Sequence, residues 1–241
     1  MPSTASPTTP FELIAIDLDG TLVDTVGDLH AGVVRMQDRL GRERASPEQV
    51  RDWVGNGVER LVHRALLGTM EGDADPALLA EALPLFESAY DEANGEASAL
   101  YPGVEEGLRW LGTLDVPLVV VTNKARRFTL PLLEALGIGD RFEHVIAGDD
   151  VTRKKPDPEA LLEAARRCGA APERSLLIGD SVSDIRAARA AAFTVASVSY
   201  GYNHGLSVRD LEGELRPDAI VDSFEELPEA FATLARGLPA R

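Results

Sequence analysis

Long apolar runs are missing from this 241-residue chain: no stretch of about 18 or more hydrophobic residues occurs, so no helical membrane span is expected. Cysteine is almost missing too. Cys168 stands alone, which rules out an intrachain disulfide, and nothing beside it marks an activated thiolate, so it reads as an inert packed thiol. Positive charge is scarce: 24 Lys and Arg face 40 Asp and Glu, for a formal net charge of -16 and a pI near 4.6. Such a surface argues against a nucleic-acid partner, because a phosphate backbone demands basic patches. It also repels small anions at long range, so any anionic ligand needs local cations to overcome that field. The first ten residues are rich in Ser, Thr and Pro. They lack the basic and apolar regions of a signal peptide, which leaves the cytoplasm as the default location and 1–10 as an expected disordered tail. The histidines His30, His63, His144 and His204 are scattered without metal-ligand spacing, and Trp53 and Trp110 read as packing residues.

What is present is an ordinary globular composition, 44% hydrophobic and 27% charged, at a length that suits one large domain or a core carrying a smaller insertion. Residues 11–17 (FELIAID) form an apolar run bounded by Pro10, which predicts a strand. From 24 to about 95 the apolar residues recur at helical spacing, with turn signals at Ser46-Pro47, Gly55-Asn56-Gly57 and Asp75-Pro76. Beyond Tyr101-Pro102-Gly103 the pattern alternates. Strands are predicted over 117–122, 142–147, 175–179, 195–198 and 219–221, with helices over 128–136, 158–168, 185–192 and 224–236. That alternation predicts an α/β fold: a three-layer, doubly wound, mainly parallel sheet. The first strand is needed to complete the sheet, so the helical stretch is an insertion. The expected division is a core of 11–23 and 97–241 with an all-helical domain at 24–96.

Four segments sit just past predicted strand ends, the edge at which open α/β sheets bind ligands. Asp17-Leu18-Asp19-Gly20-Thr21 places two carboxylates two residues apart, unfavourable unless a cation lies near, and Gly20 permits a sharp turn. Thr122-Asn123-Lys124 offers a hydroxyl and backbone amides suited to a phosphate. In Lys154-Lys155-Pro156-Asp157-Pro158 the prolines hold a lysine where it can act as a point charge. Gly179-Asp180-Ser181-Val182-Ser183-Asp184 supplies two more carboxylates, the oxygen ligands that magnesium selects. Each segment alone fits an ordinary loop; the four together at one sheet edge point to chemistry.

This ordered set resembles the motifs of the haloacid dehalogenase superfamily of phosphohydrolases, over residues 11 to about 235. The helical insertion looks like that superfamily's cap domain. The segments WVGNGVERLVHRAL, VVTNK, KKPDP, GDSVSDI and SYGYNHG are similar to those of bacterial phosphoglycolate phosphatases. The resemblance implies a Mg2+-dependent phosphatase acting on a small phosphate ester such as 2-phosphoglycolate through an aspartyl-phosphate. It implies Asp17 as nucleophile and Asp19 as general acid and base. Magnesium would be held by Asp17, the Asp19 backbone carbonyl and Asp180, with Asp184 orienting metal-bound water. Gly20, Thr122, Asn123 and Lys155 would hold the phosphoryl group, and Gly55 and Asn56 the rest of the substrate. A phosphosugar mutase, which keeps both aspartates, and a phospho-aspartate receiver switch stay open as alternatives.

Overall fold

The computed structural model describes residues 9–235. The expected tail at 1–10 therefore lies outside the described residues except for Thr9 and Pro10. Six parallel strands form one sheet: β1 (Leu13–Ile16), β4 (Leu118–Val121), β5 (His144–Ile146), β6 (Ser175–Gly179), β7 (Thr194–Val198) and β8 (Ala219–Val221). Their order is β5-β4-β1-β6-β7-β8. The chain leaves β1 toward β4 and β5, then returns to the other side at β6. The sheet thus reverses its winding between β1 and β6, where doubly wound sheets open their ligand crevice.

Period-two alternation explains why these runs are buried on both faces. Ile14, Ile16, Val120, Leu176 and Ile178 face one apolar layer with residues of α5 (Val104–Leu111), α6 (Arg126–Ala135) and α9 (Leu227–Leu234). Leu13, Ala15, Val119, Val121 and Leu177 face the opposite layer, covered by α7 (Glu159–Cys168) and α8 (Val182–Ala191). The final helix begins at Leu227, after a short 3-10 turn over Phe224–Glu226, rather than at 224. Position 236 lies outside the described residues.

Among the described residues, four helices lie between Asp24 and Ala99: α1 (Val26–Arg39), α2 (Pro47–Trp53), α3 (Val58–Leu67) and α4 (Pro76–Ala93). Ser46 starts α2 with a capping box closed by Gln49, and Asp75 caps α4 ahead of Pro76. Their apolar faces share a separate cluster that includes Val33, Met36, Trp53, Phe86 and Tyr90, joined by Phe128 and Tyr202 from the sheet-bearing part. Trp53 packs there, as its apolar context predicts. The two chain crossings are tied together. Strands β2 (Val23–Asp24) and β3 (Ala99–Leu100) pair antiparallel, and the buried Asp28 carboxylate accepts from the backbone amides of Gly95, Ala97 and Ser98 at 2.8, 2.7 and 3.2 Å. Among the described residues no helix is long and apolar enough to cross a membrane.

Candidate active site

The end of β1 sets the geometry. Asp17 N donates to Ile178 O of β6 at 2.9 Å, which fixes Asp17 beside the switch point, and the buried Leu18 side chain takes no part in the pocket that Asp17 and Asp19 line. The chain then turns back on itself: Gly20 N donates to Val23 O at 2.9 Å, and Gly20 has φ 86°. A Cβ on Gly20 would stand 2.3 Å from Asp180 Oδ2, so the position needs a glycine for its space as well as its backbone.

Asp180 follows β6 and is held from two sides. Thr21 Oγ1 donates to its Oδ1 at 3.1 Å, and the Tyr202 amide donates to its Oδ2. Asp184, one turn into α8, closes a capping box: its Oδ2 accepts from Ser181 N at 3.1 Å and Ser181 Oγ at 2.6 Å. Its other oxygen receives Lys155 Nζ at 2.6 Å. Lys155 arrives from the loop after β5, follows with a cis peptide to Pro156, and also donates to Val121 O at 2.9 Å. It is anchored at its own carbonyl by Asn123 Nδ2 at 2.9 Å. Its ammonium lies 2.9 Å from Asp17 Oδ1 as an ion pair. That oxygen, fully buried, accepts no well-directed hydrogen bond from any described residue.

Oxygens of Asp17, Asp180 and Asp184 lie within 4.8 Å of one another, and all three residues are buried. Among the described residues, one ammonium faces these three carboxylates. Burial pushes the Asp17 carboxyl up to about 7, opposed by Lys155 and reinforced by Asp184. Burial, then the charges of Asp184 and Asp17, push Asp180 well above the usual carboxylate range. Lys155 is driven the other way. Burial alone would lower it, but Asp17 and Asp184 outweigh that and hold the ammonium above its ordinary value. A hard divalent cation fits this donor set: oxygen ligands only, one carboxylate oxygen without a well-directed hydrogen bond, and excess negative charge. Asp184 already accepts from three donors, one of them the Lys155 ammonium, against two on Asp180, which leaves it the less free of the two to ligate directly.

Thr122 follows β4 into the same pocket, and its hydroxyl accepts from Lys124 N at 3.2 Å. The roof comes from the helical part. Gly55, Asn56 and Gly57 all have positive φ, 114°, 64° and 89°. Asn56 Nδ2 donates to Ser183 Oγ at 3.3 Å, while Arg64 braces the loop by donating to Trp53 O at 2.7 Å and Asn56 Oδ1 at 3.2 Å. The structure therefore brings Asp17, Asp19, Gly55, Asn56, Thr122, Asn123, Lys155, Asp180 and Asp184 to one cavity. Gly20 stands behind it against Asp180.

Three residues escaped sequence reasoning. Lys124 Nζ pairs with Asp19 Oδ1 at 3.0 Å, so the Asp19 carboxylate has a cation of its own. Tyr202 supplies the amide on Asp180 and a hydroxyl that donates to Asp24 Oδ1 and accepts from Thr25 N. His204 lines the cavity, with Nδ1 2.8 Å from Asp52 O. Lys124 and the SYGYNHG run were visible as motif text, but nothing in their spacing named a partner.

Comparison with known proteins agrees with this geometry. The haloacid dehalogenase-like hydrolase family matches residues 11–192, and the chain belongs to that family of enzymes. It is 49% identical over 224 residues to the phosphoglycolate phosphatase of Nitrosococcus oceani, covering 93% of this chain and 98% of that one. It is similar in structure to a predicted phosphoglycolate phosphatase from Haemophilus somnus 129PT, with TM-score 0.84, 32% identity, and 92% and 98% of the two chains covered. CbbY from Rhodobacter sphaeroides, in a complex with phosphate, matches with TM-score 0.74 and 26% identity over 90% of this chain and 96% of that one.

Proposed function

We propose that this enzyme is a Mg2+-dependent phosphatase that hydrolyses 2-phosphoglycolate to glycolate and phosphate through a phosphorylated Asp17. The observation that carries the reading is the Asp17 carboxylate: buried at the switch point, with its Oδ1 in an ion pair 2.9 Å from Lys155 Nζ. The substrate assignment rests on the relatives' names and on the identity to them.

An Asp17 oxygen attacks phosphorus, and the bond from phosphorus to the ester oxygen breaks. Asp19 gives its proton to the departing alkoxide. The Asp19 carboxylate then takes a proton from water as that water attacks the phosphorylated Asp17, releasing inorganic phosphate and restoring the free carboxylate. Lys155 and the Thr122 hydroxyl meet the phosphoryl oxygens, helped by the Asn123 amide. Asp17, the Asp19 carbonyl and Asp180 would hold magnesium, with Asp184 orienting its water; bound there, the ion supplies charge neutralisation between carboxylate and phosphate. Residues 24–96 act as a cap on a core of 11–23 and 97–241. They exclude bulk water and bring the Gly55-Asn56-Gly57 amides toward the substrate's carboxylate. On a protein of net charge -16 these cations form the local attraction an anionic substrate requires.

The test is phosphate release from 2-phosphoglycolate and from a panel of other small phosphate esters, with magnesium present. Preference for 2-phosphoglycolate supports the assignment; a clear preference for another ester, or isomerisation of a phosphosugar without phosphate release, overturns it.

A further inference from the structure

Lys124 is an ammonium placed where burial is costly. It is only 4% exposed, on the loop that joins β4 to α6, and its backbone is pinned at both ends. Its N donates to Thr122 Oγ1 at 3.2 Å, and its carbonyl accepts from Gly148 N at 2.9 Å. A buried lysine needs matched partners or its charge is lost. Two groups among the described residues meet this one. The first is Asp19, whose Oδ1 and Oδ2 lie 3.0 and 3.4 Å from Nζ. The second is Tyr90, which shares a hydrogen bond with Nζ and lies beneath it with its ring centroid 4.8 Å away. Burial alone would lower the Lys124 ammonium's pKa; Asp19 and Tyr90 outweigh it and hold it above its ordinary value.

Tyr90 belongs to a different part of the molecule. It lies on α4, stacks on Phe86 of the same helix at 5.6 Å, and meets Phe128 of α6 at 4.8 Å. Asn94, the residue that caps the C-terminal end of α4, donates from Nδ2 to Phe128 O at 2.9 Å. Tyr90 thus sits on the seam between the helical unit and the sheet layers. The ammonium it holds reaches across to Asp19.

We infer that Lys124, seated by Tyr90, is the positioning residue for the Asp19 carboxyl. The docking of α4 thereby controls whether that carboxyl is aimed at the leaving-group oxygen. The inference rests on the proposed role of Asp19 as proton carrier. A carboxyl on a short side chain has two torsions to fix. Two contacts to one anchored ammonium fix both: Oδ1 is held at 3.0 Å, and Oδ2, held more loosely at 3.4 Å, is the oxygen that carries or accepts the proton. If α4 moves away, the tyrosine leaves and the ammonium loses one of its two partners. Aim then degrades together with closure, so proton transfer is matched to a sealed pocket. Lys155 serves Asp17 and Asp184 instead, so the two buried lysines divide the two aspartates of the first motif between them.

The experiment compares kcat/KM, which reports steps through phosphorylation of Asp17, for 2-phosphoglycolate and p-nitrophenyl phosphate. The first needs a proton on its alkoxide leaving group, and the second scarcely does. Asp19→Asn should lose about 10²-fold or more on the first ester and far less on the second. Lys124→Met should show the same one-sided loss, up to about 10²-fold, because misaiming by about an ångström costs that much. Tyr90→Phe, which keeps the ring stack and fold, should lose roughly tenfold on the first ester alone. A uniform loss on both esters in Asp19→Asn overturns the proton-carrier role and this inference with it. A one-sided loss in Asp19→Asn, with uniform or no loss in Tyr90→Phe and Lys124→Met, overturns this inference alone. Should Lys124→Met fail to fold, Tyr90→Phe decides.

Discussion

Lys155 Nζ stands between two carboxylates, 2.9 Å from Asp17 Oδ1 and 2.6 Å from Asp184 Oδ1, and among the described residues is the single ammonium facing the buried acidic group. Removing it leaves those charges uncompensated in low dielectric. Lys155→Ala should lower kcat/KM by roughly 10²-fold or more. It should also destabilise the metal-free protein by about 3 kcal/mol, the scale for breaking a buried pair from one side. Steady-state kinetics and denaturant melts check the two effects separately.

The raised carboxyl of Asp17 makes a prediction about pH. Its folded pKa is about 7 against an ordinary value of 3.8, so between those values the folded protein binds more protons than the unfolded one. Stability from this group is present below pH 3.8 and is lost as pH rises through about 7. Asp180, shifted the same way, adds to the trend. Thermal melts of chelator-treated protein should therefore show a declining contribution across that window. Added magnesium should stabilise most at the alkaline end, where it no longer competes with protons. A magnesium effect that is constant across the window would contradict the assignment of these carboxylates to the ion.

Chelation should abolish turnover, and magnesium should restore it. Asp180→Asn keeps the shape but removes one charge from the oxygen set, so it should raise the magnesium concentration needed for half-maximal activity at least about tenfold. Unchanged magnesium dependence would count against Asp180 as a ligand.

Gly20 and Gly201 both press on Asp180. A Cβ would stand 2.3 Å from Asp180 Oδ2 at Gly20 and 2.2 Å from Asp180 Cβ at Gly201. Gly20→Ala adds backbone strain at φ 86°, of order 1–3 kcal/mol. Both substitutions should depress activity by displacing Asp180, with magnesium affinity falling in parallel. Gly41→Ala, also at positive φ but with open space around it, provides the strain-only comparison.

The strands were legible because they are short, continuous apolar runs covered on both faces. The predicted 175–179 and 219–221 coincide with β6 and β8, and the others shift by one or two residues at their ends. β2 and β3 were illegible for a physical reason: two residues each carry no periodicity, and their pairing joins positions on either side of the four helices. Helix α5 was also missed; Tyr101-Pro102-Gly103 marks a turn, and Gly103 precedes a single amphipathic stretch. Asp17, Asp19, Lys155, Asp180 and Asp184 announced themselves through charge placed after apolar runs. Lys124 did not, because its meaning depends on Asp19, 105 residues away, and on Tyr90 on another element. Tyr202 was equally silent, since it acts on Asp180 through its backbone amide.

The most direct measurement is acid quench of the enzyme in turnover with 2-phosphoglycolate, followed by mass analysis of the peptide that carries Asp17. The account predicts that this peptide gains one phosphoryl group at Asp17, that the gain vanishes on longer incubation, and that Asp17→Asn neither gains it nor turns over. Product formation with the Asp17 peptide never modified, or near-normal turnover by Asp17→Asn, would contradict it.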